Sequence, residues 1–134
     1  MRLEHVNMTV ADLDRSVGFY RDLFGFEVRW EGTVNDGRNR AVHVGPESGY
    51  LALFEADGPG RAPIDYRAVG HNHFGFVVDD LDAMTARLEE MGVGRHLEAD
   101  YEPGRRAYFF DPDGYEVELV EYPGAEEGTS PVAA

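Results

Sequence analysis

Apolar and polar positions alternate along 2–10, so His5, Asn7 and Thr9 share one strand face and Val6, Met8 and Val10 the other. The period then changes. Leu13, Val17, Tyr20 and Phe24 recur at helical spacing, Asp12 is placed to cap the helix, and Gly25 is placed to end it. Strands are expected over 26–34, 40–44 and 49–55, with Asn35-Asp36-Gly37 as the hairpin turn between the first two. The stretch 56–70 carries Gly58-Pro59-Gly60 and Pro63 and reads as a linker. The order then repeats. A strand is expected over 71–78 and a helix over 80–91, with Leu81, Met84, Leu88 and Met91 on its apolar side and Gly92 as its stop. Three more strands follow near 94–99, 105–110 and 115–122.

The repeat is visible in the letters. L-E-H-V-N-M-T-V-A-D-L-D starts at Leu3, and H-N-H-F-G-F-V-V-D-D-L-D starts at His71. His5 stands seven residues before Asp12, and His73 seven before Asp80. The pattern predicts an α+β fold of two βαβββ modules, forming a cupped, partly closed mixed sheet with the helices outside. Its expected divisions are one domain over 1–122, with module one at 1–55, linker 56–70 and module two at 71–122. A disordered acidic tail is expected over 123–134.

Composition narrows the chemistry. The chain has 134 residues, 43% of them hydrophobic, and a net charge of −14. That charge opposes nucleic-acid and anionic-membrane partners, because both need a cationic surface. No apolar run approaches the ~20 residues of a membrane span. The start of the chain alternates like a strand rather than a signal peptide, so a cytoplasmic location is expected. There is no cysteine, and all twelve basic residues are arginine. Thiolate chemistry and lysine Schiff bases are therefore absent. Ser16, Ser48 and Ser130 lie in no G-x-S-x-G context. Histidine, carboxylate, tyrosine and arginine remain, with or without a metal.

Strand parity gathers some of these. If Val117 and Leu119 pack under a helix, Glu118 faces the other way, as do His5 and His73. Two histidines and a carboxylate suit a divalent first-row metal and leave positions open for a substrate. The same parity turns Tyr108, Arg106 and Arg40 inward and His43 towards the helix. The two arginines would hold an anionic substrate. Asn7, Tyr50, Phe54, Glu116 and Tyr122 complete the expected substrate lining. His71 shares the parity of His73 and is an acid–base candidate.

H-x-x-x-x-V-x-D-L-D, then F-Y-R-D-L-F-G-F, and later Y-F-F-D-P-D-G-Y-E-V-E-L resemble the vicinal oxygen chelate superfamily over about 1–122. That superfamily includes glyoxalase I, extradiol dioxygenases, fosfomycin-resistance enzymes and bleomycin-resistance proteins. The resemblance implies a divalent ion (Fe, Mn, Ni or Zn) held by His5, His73 and Glu118, with Tyr108 in the pocket. It also implies a small substrate that chelates through neighbouring oxygens, and a homodimer. L-A-L-F-E aligned with V-E-L-V-E puts Ala52 opposite Glu118, where glyoxalase I has a fourth ligand. That departure tilts the expectation towards a dioxygenase. Against it, ring-cleaving enzymes carry a further histidine on the strand before the tyrosine. Here His96 is the nearest, a few residues early. A glyoxalase-type lyase or isomerase is the near alternative, and a metal-free sequestering protein of the bleomycin-resistance type the other. A fosfomycin-type transferase lacks its serine-rich loop before Tyr108.

Overall fold

The structure is a computed structural model that describes residues 1–58, 60, 64–101 and 104–124, with only the backbone of Tyr101. Of the tail expected over 123–134, residues 125–134 lie outside the described residues. The chain divides into two compact units, 1–63 and 64–134.

Unit 1 runs β1 (His5–Val10), α1 (Leu13–Phe24), β2 (Val28–Val34), β3 (Asn39–Val44) and β4 (Tyr50–Glu55). Unit 2 repeats it with β5 (His73–Val77), α2 (Leu81–Glu90), β6 (Arg95–Tyr101), β7 (Gly104–Phe110) and β8 (Glu116–Glu121). The α+β class and the double βαβββ order are thus as expected. Each unit holds one four-stranded mixed sheet. The orders are β1-β4-β3-β2 and β5-β8-β7-β6, with the first strand parallel to the last and the rest antiparallel.

Capping defines the helix starts. The Asp12 carboxylate accepts from Arg15 N–H at 3.0 Å, and Asp80 accepts from Ala83 N–H at 2.9 Å. Gly25 closes α1 at φ +71°, a left-handed conformation that favours glycine. The β2–β3 turn takes Asn35 and Asp36 to φ 55° and 57°, which these residue types tolerate.

Each helix covers one face of its own sheet. In unit 1 that face carries Met8, Val10, Leu51, Leu53, Val42 and Val44, all buried, as are Leu13, Val17 and Tyr20 of α1. In unit 2, Val117, Leu119 and Phe109 are fully buried in the same way, with Leu81 and Leu88. Burial of an aliphatic or aromatic side chain contributes roughly 1.5–3 kcal/mol. The opposite face of each sheet carries no helix of its own unit, and the polar side chains gather there.

Two expectations about facing are corrected here. Arg40 was expected inward, in step with Arg106. It lies instead on the helix face, donating to the Asp14 carboxylate of α1 at 3.0 and 3.3 Å. Its true counterpart is Arg105, which donates to Asp82 of α2 at 2.7 and 3.4 Å. His43 was expected under the helix. It pairs with Ala52 across β3–β4 and stands on the open face, between Trp30 and Tyr50. Both errors are one residue of register, and one residue turns a strand side chain over.

Candidate functional site

The open face of unit 2 is built from four strands and one connecting residue. His73 starts β5 and lies opposite Glu116, while Glu118 lies opposite Gly75. Gly75 has a specific use there. A β-carbon on it would stand 3.3 Å from Glu118 Cβ and 3.6 Å from Glu118 Oε2, crowding the carboxylate. Tyr108 of β7 lies opposite Glu118, and Arg106 opposite Val120. A register shift in β6 between Arg95 and Leu97 swings His96 onto this face.

The groups make one network. His73 Nε2 stands 3.0 Å from Glu118 Oε2. Arg106 donates to the other Glu118 oxygen at 2.6 Å, a short charge-assisted bond. His96 Nε2 stands 2.8 Å from Glu116 Oε2. Tyr66, from the segment before β5, places its hydroxyl 2.8 Å from His73 Nδ1 and donates to Glu116 Oε1. Tyr108 closes edge-on to the His73 ring with centroids 5.5 Å apart, and lies 6.2 Å from His96.

Both carboxylates are nearly buried, at 8% and 9% exposure, which is costly unless they are well partnered. Burial, and secondarily the charge of Glu118, holds the Glu116 carboxyl above its ordinary range. Burial holds His96 below the usual imidazole value. Near neutral pH this favours a neutral His96 donating to Glu116. A carboxyl with a raised pKa is suited to taking and returning protons.

The open face of unit 1 differs. His5 stacks on Tyr50 with centroids 5.2 Å apart, and its Nδ1 is 2.9 Å from Glu4. Tyr50 donates to Glu4 at 2.9 Å, and the Arg29 guanidinium lies 4.5 Å over its ring. Asn7 spends its amide on the Ala52 carbonyl at 2.9 Å. Phe54 is half-buried on the same face, opposite Ala41. Burial holds His43 below the usual imidazole value, reinforced by His5 and Arg29.

Of the residues singled out in the sequence, His73, Arg106, Tyr108, Glu116 and Glu118 come together in unit 2. His5, Asn7, Tyr50 and Phe54 share the open face of unit 1. Arg40 joins neither. His71 is exposed and precedes β5, and Tyr122 follows β8 half-buried. Tyr66 was missed because its segment has no periodicity. Its one signal was an aromatic seven residues before His73. Glu4 and Trp30 were missed as well. His96 was set aside because a bulge is not readable in the spacing.

Among the described residues, no three histidine or carboxylate side chains are arranged to hold a metal ion by themselves. The His73–Glu118 pair nonetheless suits one. Two ligands at ~2.1 Å from an ion and at right angles stand about 3 Å apart, which is the observed spacing. Imidazole nitrogen and carboxylate oxygen are also the right donors. Among the described residues no helix is long and apolar enough to cross a membrane.

Fold and site together define a protein of paired βαβββ units with an imidazole–carboxylate cluster on a sheet face. The family model of the Glyoxalase/Bleomycin resistance protein/Dioxygenase superfamily matches residues 2–119, and the chain belongs to that family. It is 31% identical over 129 residues to a probable chloroplastic lactoylglutathione lyase of Arabidopsis thaliana. That match covers 90% of the chain but only 35% of the plant protein. It is 28% identical to lactoylglutathione lyase of Haemophilus influenzae, over 96% of the chain and 98% of that protein. The solved glyoxalase I of Leishmania major superposes with a TM-score of 0.73 at 28% identity, covering 90% of this chain and 86% of that one.

Proposed function

We propose that the chain is a divalent-metal-dependent enzyme of the lyase–isomerase kind, acting on a small substrate with oxygens on neighbouring carbons. His73 and Glu118 would hold the ion. His5, at the head of β1 as His73 is at the head of β5, is the further ligand that the resemblance implies. A bound ion of this type supplies Lewis acidity, favouring loss of a proton next to a carbonyl.

The chain's own residues do the rest. Glu116 takes the proton from one carbon and returns it to the neighbour. Its raised affinity for protons suits both halves of that cycle. His96 and Tyr66 hold the carboxylate still. Arg106 holds Glu118 in place by donating to its Oε1. Tyr108 walls the site beside His73. The observation that carries this reading is the second buried carboxylate. Ala52 cannot supply the proton-transfer group that a glyoxalase-type reaction needs, and Glu116 lies two residues from Glu118 on the same face.

A dioxygenase is the second reading. The bulge in β6 favours it by turning His96 inward near Tyr108, which supplies a histidine on the strand before the tyrosine. One experiment divides the two. Protein purified without chelators is analysed for metal. It is then given the adduct of a thiol and a 2-oxoaldehyde in deuterated water, and separately a catechol under oxygen. Isomerisation to the 2-hydroxy thioester, lost in Glu116→Gln, supports the first reading. Oxygen uptake with catechol and no isomerisation replaces it with the second. Protein that is metal-free, and stays so when offered Fe, Mn, Ni or Zn, overturns both.

A further inference from the structure

We infer that Tyr66 is a positioning residue that fixes the tautomer of His73 and so aims the Nε2 lone pair at the metal position. The inference rests on the metal reading above for its purpose, but its geometry stands without it. Glu116 receives two donors. Its Oε2 accepts from His96 at 2.8 Å, and its Oε1 accepts the Tyr66 hydroxyl proton. A phenol has one proton, so Tyr66 has none left for His73. Its oxygen, 2.8 Å from His73 Nδ1, can then only accept. Nδ1 of His73 is therefore a nitrogen that carries a proton. Glu116 Oε1, 3.4 Å from the same nitrogen, reinforces that choice electrostatically.

The consequence falls on the other side of the ring. Nε2 is left with a lone pair, facing Glu118 Oε2 at 3.0 Å. Two acceptors at that distance repel unless a proton or a metal cation lies between them. Glu118 cannot turn its charge away, because Arg106 grips its other oxygen at 2.6 Å. The chain Glu116–Tyr66–His73 thus prepares a place for a cation at the His73–Glu118 pair. Hydrogen bonds to the far nitrogen of a ligating histidine fix ring orientation and raise basicity in this way. Tyr66 is also 56% exposed while its hydroxyl points inward. Its ring is therefore not needed to fill a core.

The test compares wild type with Tyr66→Phe, which keeps the ring and removes only the hydroxyl. Proton–nitrogen correlation spectra of the histidine rings, in metal-free full-length protein, read the tautomer. A His73→Gln sample assigns the signal. Wild type should show His73 protonated at Nδ1, and Tyr66→Phe should lose that preference. Manganese(II) alone, titrated in the same two proteins, should bind about 10–100-fold more weakly to Tyr66→Phe. An unchanged tautomer together with unchanged manganese affinity overturns the inference while leaving the metal reading in place. Loss of the Nδ1 preference in a chain whose wild type takes up no divalent metal supports the positioning role and sinks the metal reading instead.

Discussion

The two units are near copies on their helix faces and unlike on their open faces. On the helix side the substitutions are conservative: Leu51 answers to Val117, Leu53 to Leu119, Val44 to Phe109, and all are fully or almost fully buried. Even the charges repeat. Arg40 joins Asp14 and Glu55 as Arg105 joins Asp82 and Glu121. On the open side little repeats beyond the strand-leading histidines, His5 and His73. Ala41 answers to Arg106, His43 to Tyr108, Tyr50 to Glu116 and Ala52 to Glu118. Even the shared bulge delivers Arg29 in one unit and His96 in the other. Packing constrains the covered face to one solution, so duplication preserves it. The open face was free to become aromatic in one copy and acidic in the other.

The sharpest way to break this division is to remove the acidic ligand. Glu118→Ala should weaken manganese binding by about 100-fold or more, since even outer partners of a ligand are worth ~10–100-fold. His43→Ala, at the matching face of unit 1, should leave the affinity unchanged. Calorimetric titration of both variants checks this. Equal losses would mean the two faces are not functionally distinct.

The helix faces predict the reverse, which is equality. Leu53 and Leu119 are both at 0% exposure on matching strands. Truncation of either to alanine should cost about 2–5 kcal/mol in urea unfolding. A difference between them approaching that cost itself would show that the units do not share one packing solution.

What the sequence revealed follows the same division. The covered faces were legible, because helix packing demands period 3.6 in Leu13–Phe24 and period 2 in His5–Val10, and capping needs Asp12, Asp80 and Gly25. Glu118 was placed on the open face from its buried neighbours. The open face was otherwise read less well. Arg40 was matched with Arg106 where its counterpart is Arg105, a one-residue slip that put Arg40 and His43 on the wrong sides. The β6 bulge leaves no trace in spacing, so His96 was passed over. Tyr66 acts through a single hydroxyl from an irregular segment, which no periodicity encodes.

A smaller effect tests whether the acidic face is held at a cost to stability. Burial and Glu118 raise the folded-state pKa of Glu116 above the unfolded value of about 4.3. The folded state therefore binds a proton more readily than the unfolded one. Stability is lost as pH rises from the unfolded pKa through the folded one. Glu116→Gln removes that loss. Its melting temperature should exceed wild type by roughly 2–5 °C at pH 7, and the gain should vanish below about pH 4, where both forms are neutral. Activity should fall in the same variant, the usual trade at a working site.

The least effect is expected where the units agree most. Asp14 and Asp82 sit in the first turns of α1 and α2, and hydrogen bonds from Arg40 and Arg105 hold both carboxyls below their ordinary pKa. All four groups are exposed enough for solvent to screen them, so each pair contributes little. Its sign is opposite to that of Glu116. With the folded pKa depressed, the contribution is complete above about pH 4, the unfolded value, and disappears as pH falls through the folded one. Asp14→Asn and Asp82→Asn should each lower the melting temperature at pH 7 by no more than about 2 °C, and equally. The deficit should shrink in 1 M salt and close once the pH has fallen through the folded-state pKa. If only one variant shows it, the charge clamp is not a shared feature of the two covered faces. The likeness between the units would then extend to their cores alone.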